Sequence, residues 1–256
     1  MNNNNYRYYI DLIFVLTKKE IKVRYKNSVL GYVWSIANPL LYSIIFYFVF
    51  KIVMKFQIKQ YSLFLISGLF PWQWISNSIT MSASVFINNA SLVKKVAFPR
   101  YFLLLAQILN DGFHFLISIP VIVIFCLFYK HIPDIEWFIY ILLLLLPTFL
   151  CILGISFIVS SINVIFRDIQ HIINLIMTLL FYLTPVFYDI DFVPKKYILF
   201  INFNPFASII INWRLLFMHN YIDFSKFLLS LVWGIFLVFI GYFIYFKLNC
   251  RFAELL

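Results

Sequence analysis

Formal charge and glycine are both scarce in this 256-residue sequence, in which 12% of the residues are charged and only 6 are glycine. That charged fraction is about half the average of a soluble domain, which excludes a water-soluble fold. The chain holds 32 Phe, 17 Tyr and 6 Trp, and 64% of it is hydrophobic, so it is neither disordered nor collagen-like. We therefore expect a membrane protein.

Residue sets for catalysis or metal binding are also lacking. Cys126, Cys151 and Cys250 are too scattered for a disulfide framework or a metal cluster, and we expect them to be small apolar fillers. The four histidines show no ligand spacing, and no Ser, His and Asp set suggests a nucleophile. The apolar run near the start is too short for the core of a cleavable signal peptide. We predict no catalytic residue and no metal site in this chain.

Long stretches without a formal charge predict six membrane spans, because a charge at the bilayer centre costs roughly 3 kcal/mol and a spanning helix needs about 20 residues. Between the last two spans, residues 189–225 are interrupted by Pro194, Pro205 and Arg214. We expect two short helices there that dip into the membrane from one side, or else an ordinary outer loop. The predicted fold class is an all-α integral membrane domain over residues 1–256, with spans at 28–50, 63–87, 101–128, 137–161, 171–188 and 227–246.

Basic residues predict the orientation, since Lys and Arg number 20 against 10 acidic residues. Their largest cluster precedes the first span, which places both termini in the cytoplasm and residues 189–225 outside. In so hydrophobic a chain the positive excess indicates membrane flanks rather than a nucleic-acid-binding face.

Residues 6–27 combine apolar side chains at helical spacing with a basic stripe of Lys18, Lys22 and Lys26. This pattern favours a helix lying in the membrane interface, where basic side chains attract anionic lipid head groups. The alternative is a basic flank that only sets topology, and residues 21–26 also alternate with the period of a strand.

Two predicted cytoplasmic segments have patterns suited to docking another protein. In residues 88–99 an asparagine cap precedes an amphipathic stretch that Pro99 ends, which indicates a short helix facing the cytoplasm or a connector whose apolar face rests on the bilayer. In the turn of residues 166–169, adjacent opposite charges serve either docking or topology. The candidate docking residues are Asn88, Leu92, Lys94, Lys95, Val96, Phe98, Arg167 and Asp168.

Asp111 is the one acid well inside a predicted span, and an intramembrane ionisable group is by default a functional candidate. Asn110 and His114 lie close enough on a helix to hydrogen-bond it, so a structural carboxylate and a proton relay both stay open. Asp189 and Asp191 match the acid pair with which many sugar transferases hold a metal and a nucleotide sugar. The predicted topology places that pair on the outer side, and so short a match is common by chance.

No phosphate-binding loop of the form Gly-x-x-x-x-Gly-Lys fits the six glycines. The chain is therefore not expected to hydrolyse ATP by itself or to hold a cofactor. Energy for active transport would come from an ion gradient or from another polypeptide, and the lack of buried charged relays beyond Asp111 disfavours the gradient.

A series of short motifs runs in a fixed order along the whole chain. The first is the segment 23–34, VRYKNSVLGYVW, and it is followed by Asn38, Pro39 and Leu40. The others are residues 67–69 with 72–74, 92–95 with 98–100, 166–168, 184–188, and 204–206 with Arg214. Together these motifs resemble the ABC exporter permeases that export polysaccharides, the Wzm-like O-antigen exporters, in which the position of Thr184 is often Ser.

The resemblance implies the channel-forming permease of an ATP-driven exporter, which moves O-antigen linked to polyprenyl pyrophosphate from cytoplasm to periplasm across the bacterial inner membrane. It also implies a homodimer bound to two copies of a cytoplasmic ABC ATPase, the subunit that binds ATP and Mg. Residues 88–99 would then be the coupling helix and residues 189–225 the gate. The alternatives are the same machine exporting teichoic acid, capsule or a small lipophile, a polytopic glycosyl or acyl transferase, and a gradient-driven carrier.

Candidate contacts for such a substrate follow from the chemistry of sugars and phosphates. Arg24 and Lys26 lie at the predicted cytoplasmic mouth and suit the pyrophosphate, with membrane anchoring as the alternative. Aromatic rings stack on the apolar faces of sugars, and Tyr and Trp also offer a polar edge, although most rings must face lipid or core. The candidate channel-lining residues are Tyr42, Trp72, Trp74, Tyr182, Phe187 and Tyr188.

Overall fold

The computed structural model describes residues 3–24, 31 and 33–256, and in these residues all the regular secondary structure is helical. The all-α membrane fold predicted from the sequence is thereby confirmed. Twelve α-helices follow one another in the described residues, with a π-helical stretch at Tyr47–Val53 after the second and a 3-10 turn at Ile190–Phe192 after the eighth. They are α1 (Asn3–Arg24), α2 (Val33–Phe46), α3 (Tyr61–Ala83), α4 (Val85–Asn88), α5 (Ala90–Lys95), α6 (Tyr101–Phe128), α7 (Trp137–Ile165), α8 (Ile169–Leu183), α9 (Lys195–Phe203), α10 (Pro205–His219), α11 (Phe224–Asn249) and α12 (Phe252–Leu255).

Among the described residues, four helical segments are long and apolar enough to cross a membrane, and a fifth is added if the bent pair α9 and α10 counts as one span. The four are Ile36–Val53, α6, α7 and α11, which correspond to the first, third, fourth and sixth predicted spans. The predicted second span falls on α3. Its 23 residues are long enough to cross a membrane, but they are less apolar than those of the four segments. Most of α3 is buried among the other helices, so its side chains need not be apolar towards lipid.

The predicted fifth span, residues 171–188, is shorter in the structure, because α8 has 15 residues and ends at Leu183. Pro185 explains the early end, since the residue before a proline is disfavoured in helical conformation. Thr184 accordingly has the extended backbone angles φ −96° and ψ 138°.

Glycines allow α7 and α11 to pack closely. A Cβ atom at Gly241 would lie 2.2 Å from the carbonyl oxygen of Gly154, and one at Gly154 would lie 2.4 Å from the backbone of Leu237. Small residues at helix interfaces let membrane helices approach until their backbones touch, which gives packing energy that lipid cannot replace.

The region predicted to hold two short helices contains α9 and α10, which meet at an angle of 98°. Asn204 stops α9 and begins α10, because its side-chain oxygen accepts a hydrogen bond of 3.0 Å from the backbone N–H of Phe206. Pro205 then takes the first position of α10, where a missing N–H costs nothing. The Asn204 side chain also donates to Thr184 Oγ1 at 2.8 Å, which ties the bend to the end of α8.

The first helix, α1, packs along α6. The last helix of the chain, α12, joins the same hydrophobic cluster as α1. Leu16 of α1, Phe86 of α4, Phe102 of α6 and Phe252 of α12 are buried in one hydrophobic cluster. Lys19 of α1 donates a hydrogen bond to the side chain of Asn89, between α4 and α5. Of the residues predicted for the N-terminal helix, 25–27 lie outside the described residues, as do residues 28–30 of the first predicted span.

The segment predicted as one helix over residues 88–99 is divided in the structure. Asn88 ends α4, and α5 covers only Ala90–Lys95, after which Val96 is extended. Asn89 precedes α5 without capping it, because its Oδ1 atom accepts from Lys19 while its Nδ2 atom donates back to the carbonyl oxygen of Val85 at 2.9 Å. The amphipathic pattern therefore overestimated the length of this helix.

Candidate functional site

Two neighbouring cavities are lined by polar and aromatic side chains of α1, α2, α3, α6 and α8. The arginine cavity, of about 350 Å³, is lined by Arg24, Trp74, Asp111 and His114 among others. The tyrosine groove, of about 580 Å³, is lined by Tyr42, Trp72, Phe181 and Tyr182 among others. Three amide side chains line both spaces and so connect them: Asn38, Gln73 and Asn77.

The structure brings some of the predicted channel-lining residues together and separates others. Tyr42 and Tyr182, which are 58% and 57% exposed, share the tyrosine groove with the buried Trp72. Trp74 is buried and lines the adjacent arginine cavity. Phe187 instead packs in an aromatic cluster, stacked on Phe46 with ring centroids 5.6 Å apart.

Tyr188 stands apart from both cavities and lies against Phe187, with ring centroids 5.2 Å apart. That Phe187 and Tyr188 line the channel stays a prediction, although neither residue lines these two spaces. The turn at Thr184 and Pro185 is the reason, because it carries both rings away from the axis of α8.

The polar part of this surface was missed in the sequence analysis. Gln73, Ser76, Asn77 and Thr80 lie one helical turn apart along α3 and line the tyrosine groove. Asn174 and Thr178 of α8 have the same i, i+4 relation and face the same space. A stripe of uncharged hydrogen-bonding side chains at helical spacing was visible in the sequence, but a search for charges and aromatics overlooked it.

Arg24 and Asp111, which the sequence analysis treated separately, form an ion pair. Arg24 Nη1 lies 2.5 Å from Asp111 Oδ1, and the Asp111 side chain is 2% exposed. Asp111 Oδ2 accepts further hydrogen bonds from Gln107 at 3.0 Å and from Ser78 at 3.1 Å. A buried carboxylate is tolerated when it is paired and hydrogen-bonded in this way.

The predicted partners of Asp111 are therefore largely replaced by others. Asn110 has both side-chain polar atoms buried without a hydrogen-bond partner among the described residues. His114 lines the arginine cavity together with Asp111. Gln107 and Ser78 supply the hydrogen bonds instead, the first one turn back on α6 and the second from α3. Lys26, the other residue predicted at the cytoplasmic mouth, lies outside the described residues.

The predicted docking residues lie in two segments that the structure brings to one end of the molecule. Asn163, near the end of α7, donates a hydrogen bond of 2.7 Å to the carbonyl oxygen of Ala83, the last residue of α3. Gln170 at the start of α8 bonds the carbonyl oxygen of Thr80 at 3.3 Å. The turn that carries Arg167 and Asp168 is thereby held beside the chain that leads into α4 and α5.

Exposure divides the predicted docking residues into two groups. Leu92 and Phe98 are half-buried and pack against the hydrophobic cluster of Leu16 and Phe102. Part of their apolar face is therefore buried against other helices of the same chain. The exposed members are Asn88, Lys94, Lys95, Val96, Arg167 and Asp168.

Another polar pocket has a volume of about 610 Å³ and is lined by Asp189, Asp191, Arg214 and Asp223 among others. No group of three His, Cys, Asp or Glu side chains that could hold a metal ion is found among the described residues. Asp189 Oδ1 accepts a hydrogen bond of 3.4 Å from the backbone N–H of Asp191, so the acid pair forms a local turn.

Arg214, which the sequence analysis named as an interruption of residues 189–225 and as the last motif residue, is buried and held by several contacts. It is 7% exposed, and its guanidinium carbon lies 3.6 Å from the ring centroid of Phe64. Its Nη2 donates to the carbonyl oxygen of Val186 at 2.7 Å. A Cβ at Gly68 would lie 2.9 Å from that same Nη2, so glycine is what lets the guanidinium sit against α3.

Comparison with known proteins places the chain in a family. The model of the ABC-2 type transporter family matches residues 11–218. Two proteins of Klebsiella pneumoniae, each named O-antigen export system permease protein RfbA, are 44% identical to the chain over 252 residues. These alignments cover 98% of the chain and 97% of each relative. A protein of the same name from Myxococcus xanthus is 31% identical over 212 residues, which cover 82% of the chain and 81% of that relative.

These findings confirm the resemblance stated from the sequence motifs. The family match includes the helices that line both cavities and ends one residue before the end of α10. Membership of a transporter permease family argues against an enzyme and agrees with the helices long enough to span a bilayer. The chain belongs to the ABC-2 type transporter family and is a multi-pass membrane permease.

Proposed function

We propose that this chain is the channel-forming permease subunit of an ATP-driven exporter that moves O-antigen polysaccharide out of the cytoplasm. The observation that carries the proposal is the 44% identity to O-antigen export permeases over nearly the full length of both proteins. The cavity chemistry agrees with such a substrate, because amides and hydroxyls hydrogen-bond sugar hydroxyls while tyrosine and tryptophan rings stack on sugar faces.

The proposed active unit is a homodimer. Around the tyrosine groove, α2 and α8 expose large apolar side chains, including Leu41, Ile45, Leu175 and Leu179. A second copy related by a twofold axis would cover these side chains and close the two grooves into one path. Each lining residue would then occur twice along that path, and Tyr42, Trp72 and Tyr182 would form its aromatic part.

Energy is proposed to come from two copies of a cytoplasmic ATPase that binds ATP and Mg. The exposed basic residues Lys94 and Lys95, together with Arg167 and Asp168, form the docking surface in this proposal. All four lie at the same end of the molecule, where α1, α4, α5 and α12 pack together. Charge reversal at Lys94 and Lys95 is expected to abolish co-purification of the ATPase while the permease itself stays folded.

The proposed membrane arrangement has six spans in the bacterial inner membrane, with both termini in the cytoplasm. In this arrangement α3 and α8 cross as the second and fifth spans, shielded from lipid by the other helices and by the partner subunit. The bent pair α9 and α10 enters from the periplasmic side and serves as the gate. The cargo is proposed to be linked to polyprenyl pyrophosphate, whose charge Arg24 and Lys26 would contact at the cytoplasmic mouth.

Deletion of the gene in a cell that makes the polymer tests the proposal. We expect lipid-linked polymer to accumulate on the cytoplasmic face of the inner membrane and the cell surface to lose it. Complementation with the wild-type chain should clear the accumulated polymer and return it to the cell surface, whereas a chain carrying Gln73→Leu and Asn77→Leu should do neither. Export unchanged after deletion, or sugar transfer by the purified chain alone, would overturn the proposal.

A further inference from the structure

A further concave surface, separate from the arginine cavity and the tyrosine groove, lies between α1, α6 and α7. This surface, the leucine groove, has a volume of about 860 Å³ and its walls include Phe14, Leu109, Phe113, Leu116 and Leu142. It shares only Trp74 with the arginine cavity and no residue with the tyrosine groove. It is therefore not a part of the proposed polymer path.

Trp74 separates the leucine groove from the arginine cavity. Its ring lies flat on Phe115, with centroids 5.3 Å apart, and its indole nitrogen donates to the carbonyl oxygen of Ile108 at 3.4 Å. A Cβ at Gly112 would lie 3.2 Å from this ring, so the ring packs directly on the backbone of α6. A molecule in the leucine groove thus meets a packed indole rather than an open passage.

The walls of the groove are apolar and exposed. Phe113 and Leu116 of α6 are 45% and 42% exposed, and Leu142 and Leu146 of α7 are 54% and 50% exposed. A contiguous apolar surface of this kind marks a contact with lipid or with another molecule. In a membrane-spanning chain the groove is wide enough to take acyl chains.

The end of the groove at α1 is basic. Lys18 and Lys22 lie one helical turn apart on α1 and line the groove, and neither is in an ion pair within residues 3–24 and 33–256. Thr17 lines the same end, and its Oγ1 atom is buried without a hydrogen-bond partner among the described residues. The two ammonium groups have no ion-pair partner, and the hydroxyl has no hydrogen-bond partner, among the described residues. All three can donate hydrogen bonds to the oxygens of a phosphodiester.

We infer that the leucine groove binds an anionic phospholipid of the leaflet in which α1 lies. The phosphate would sit between Lys18, Lys22 and the Thr17 hydroxyl, and the acyl chains would lie on the leucines of α6 and α7. Such a lipid would fix α1, which carries Arg24 to Asp111, against the transmembrane helices. The inference rests on the proposed membrane setting of α1 but not on the identity of the exported polymer.

Native mass spectrometry of the purified full-length protein tests this inference. The protein is exposed to equimolar phosphatidylglycerol and phosphatidylcholine of the same chain length, and the retained lipids are counted. Wild type should retain the anionic lipid with a preference of about 30-fold, the effect expected of two lysines near a head group. Lys18→Gln with Lys22→Gln should reduce the preference to near parity, and Thr17→Val should reduce it severalfold.

A matched control is Lys247→Gln with Arg251→Gln, which removes the same charge at the end of α11, away from the groove. That variant should keep the wild-type preference. Equal retention of both lipids by wild type would overturn the inference, as would an equal loss of preference in the control. Displacement of phosphatidylglycerol by polyprenyl phosphate would also overturn it, since the groove would then belong to the cargo.

The lipid experiment measures lipid retention, whereas the test of the proposed function measures polymer export. Failure of one proposal can therefore be distinguished from failure of the other. A protein that exports polymer normally but shows no lipid preference refutes only the lipid site. A protein that keeps the preference but fails to export refutes only the exporter.

Discussion

Arg24 and Arg214 both lie beside the central helix α3, but their surroundings differ. Arg24 meets a carboxylate that also takes hydrogen bonds from Gln107 and Ser78. Arg214 has no carboxylate within 4 Å among the described residues, and it is held by a carbonyl oxygen and the face of Phe64. The site of Arg24 is stabilised by charge neutralisation, and the site of Arg214 is stabilised by the close fit of the guanidinium against its neutral neighbours.

The difference has energetic consequences. Removing one member of a buried ion pair leaves the other charged and unpaired, which costs far more than the pair contributes. Removing Arg214, which is bonded only to a neutral acceptor and a ring, strands no carboxylate in direct contact with it among the described residues. We therefore expect the site of Arg24 to be sensitive to single changes of charge and the site of Arg214 to be sensitive to changes of volume.

The largest effect is expected for Arg24→Met, which strands the carboxylate of Asp111 in the protein interior. The free energy of unfolding should fall by about 3–5 kcal/mol, as measured by chemical denaturation in detergent. The control is Arg24→Met combined with Asp111→Leu, which removes both charges and should lose less than Arg24→Met alone. Additive losses in the double variant would show that the two residues are not coupled.

Gly68→Ala should give the second effect, since its Cβ would lie 2.8 Å from the carbonyl oxygen of Val186 and 2.9 Å from Nη2 of Arg214. We expect a loss of about 1–3 kcal/mol from overpacking. Combining it with Arg214→Met should recover part of the loss, because the flexible thioether gives way. A neutral Gly68→Ala would contradict the close approach of the guanidinium to α3.

Arg214→Met alone should have a smaller effect, about 1 kcal/mol or less. It loses the cation–π contact with Phe64 and one hydrogen bond, but it also removes the cost of burying a charge. Thermal unfolding of Arg214→Met beside Arg24→Met compares the two arginines directly. A larger loss for Arg214→Met than for Arg24→Met would reverse the comparison.

The half-buried surface pair of Asp223 and Lys226 provides the weakest of the three charged sites. Hydrogen bonds from Lys226 and then Ser225 hold the pKa of Asp223 below its usual range, so the carboxylate contributes stability above its unfolded pKa of about 3.9. Asp223→Asn should cost up to about 1 kcal/mol near neutral pH. That deficit should shrink when stability is measured at about pH 3, since the wild-type contribution is lost as pH falls. A deficit that grows on acidification would contradict the assignment.

Local patterns in the sequence were sufficient for the long helices. Uncharged stretches located α6, α7 and α11, and the prolines at 194 and 205 indicated a break where α9 and α10 now meet. The end of α8 at Leu183 was also accessible, because Pro185 disfavours a helical Thr184. The stripe of Gln73, Asn77 and Thr80 carried a helical period that a search for charges and aromatics did not use.

Contacts between distant residues could not be obtained in this way. Arg24 and Asp111 are 87 positions apart, and nothing local in the sequence indicates that they pair. The contact of Arg214 with Phe64 and Gly68 depends on how α10 crosses α3. The division of residues 88–99 likewise depends on Asn89, whose side chain is used by Val85 and Lys19. A periodic pattern defines the face of a helix but not the residues it meets.

Reconstituted vesicles offer the most direct test of the central claim that this chain forms the path while another subunit hydrolyses ATP. Vesicles should contain the purified chain with or without its ABC ATPase, and lipid-linked polymer should be added on the ATPase side. We predict that polymer becomes accessible to a lumenal glycosidase only when the ATPase and ATP are both present. Translocation or ATP hydrolysis by the chain alone, or hydrolysis by the complex without transfer of polymer, would contradict the account.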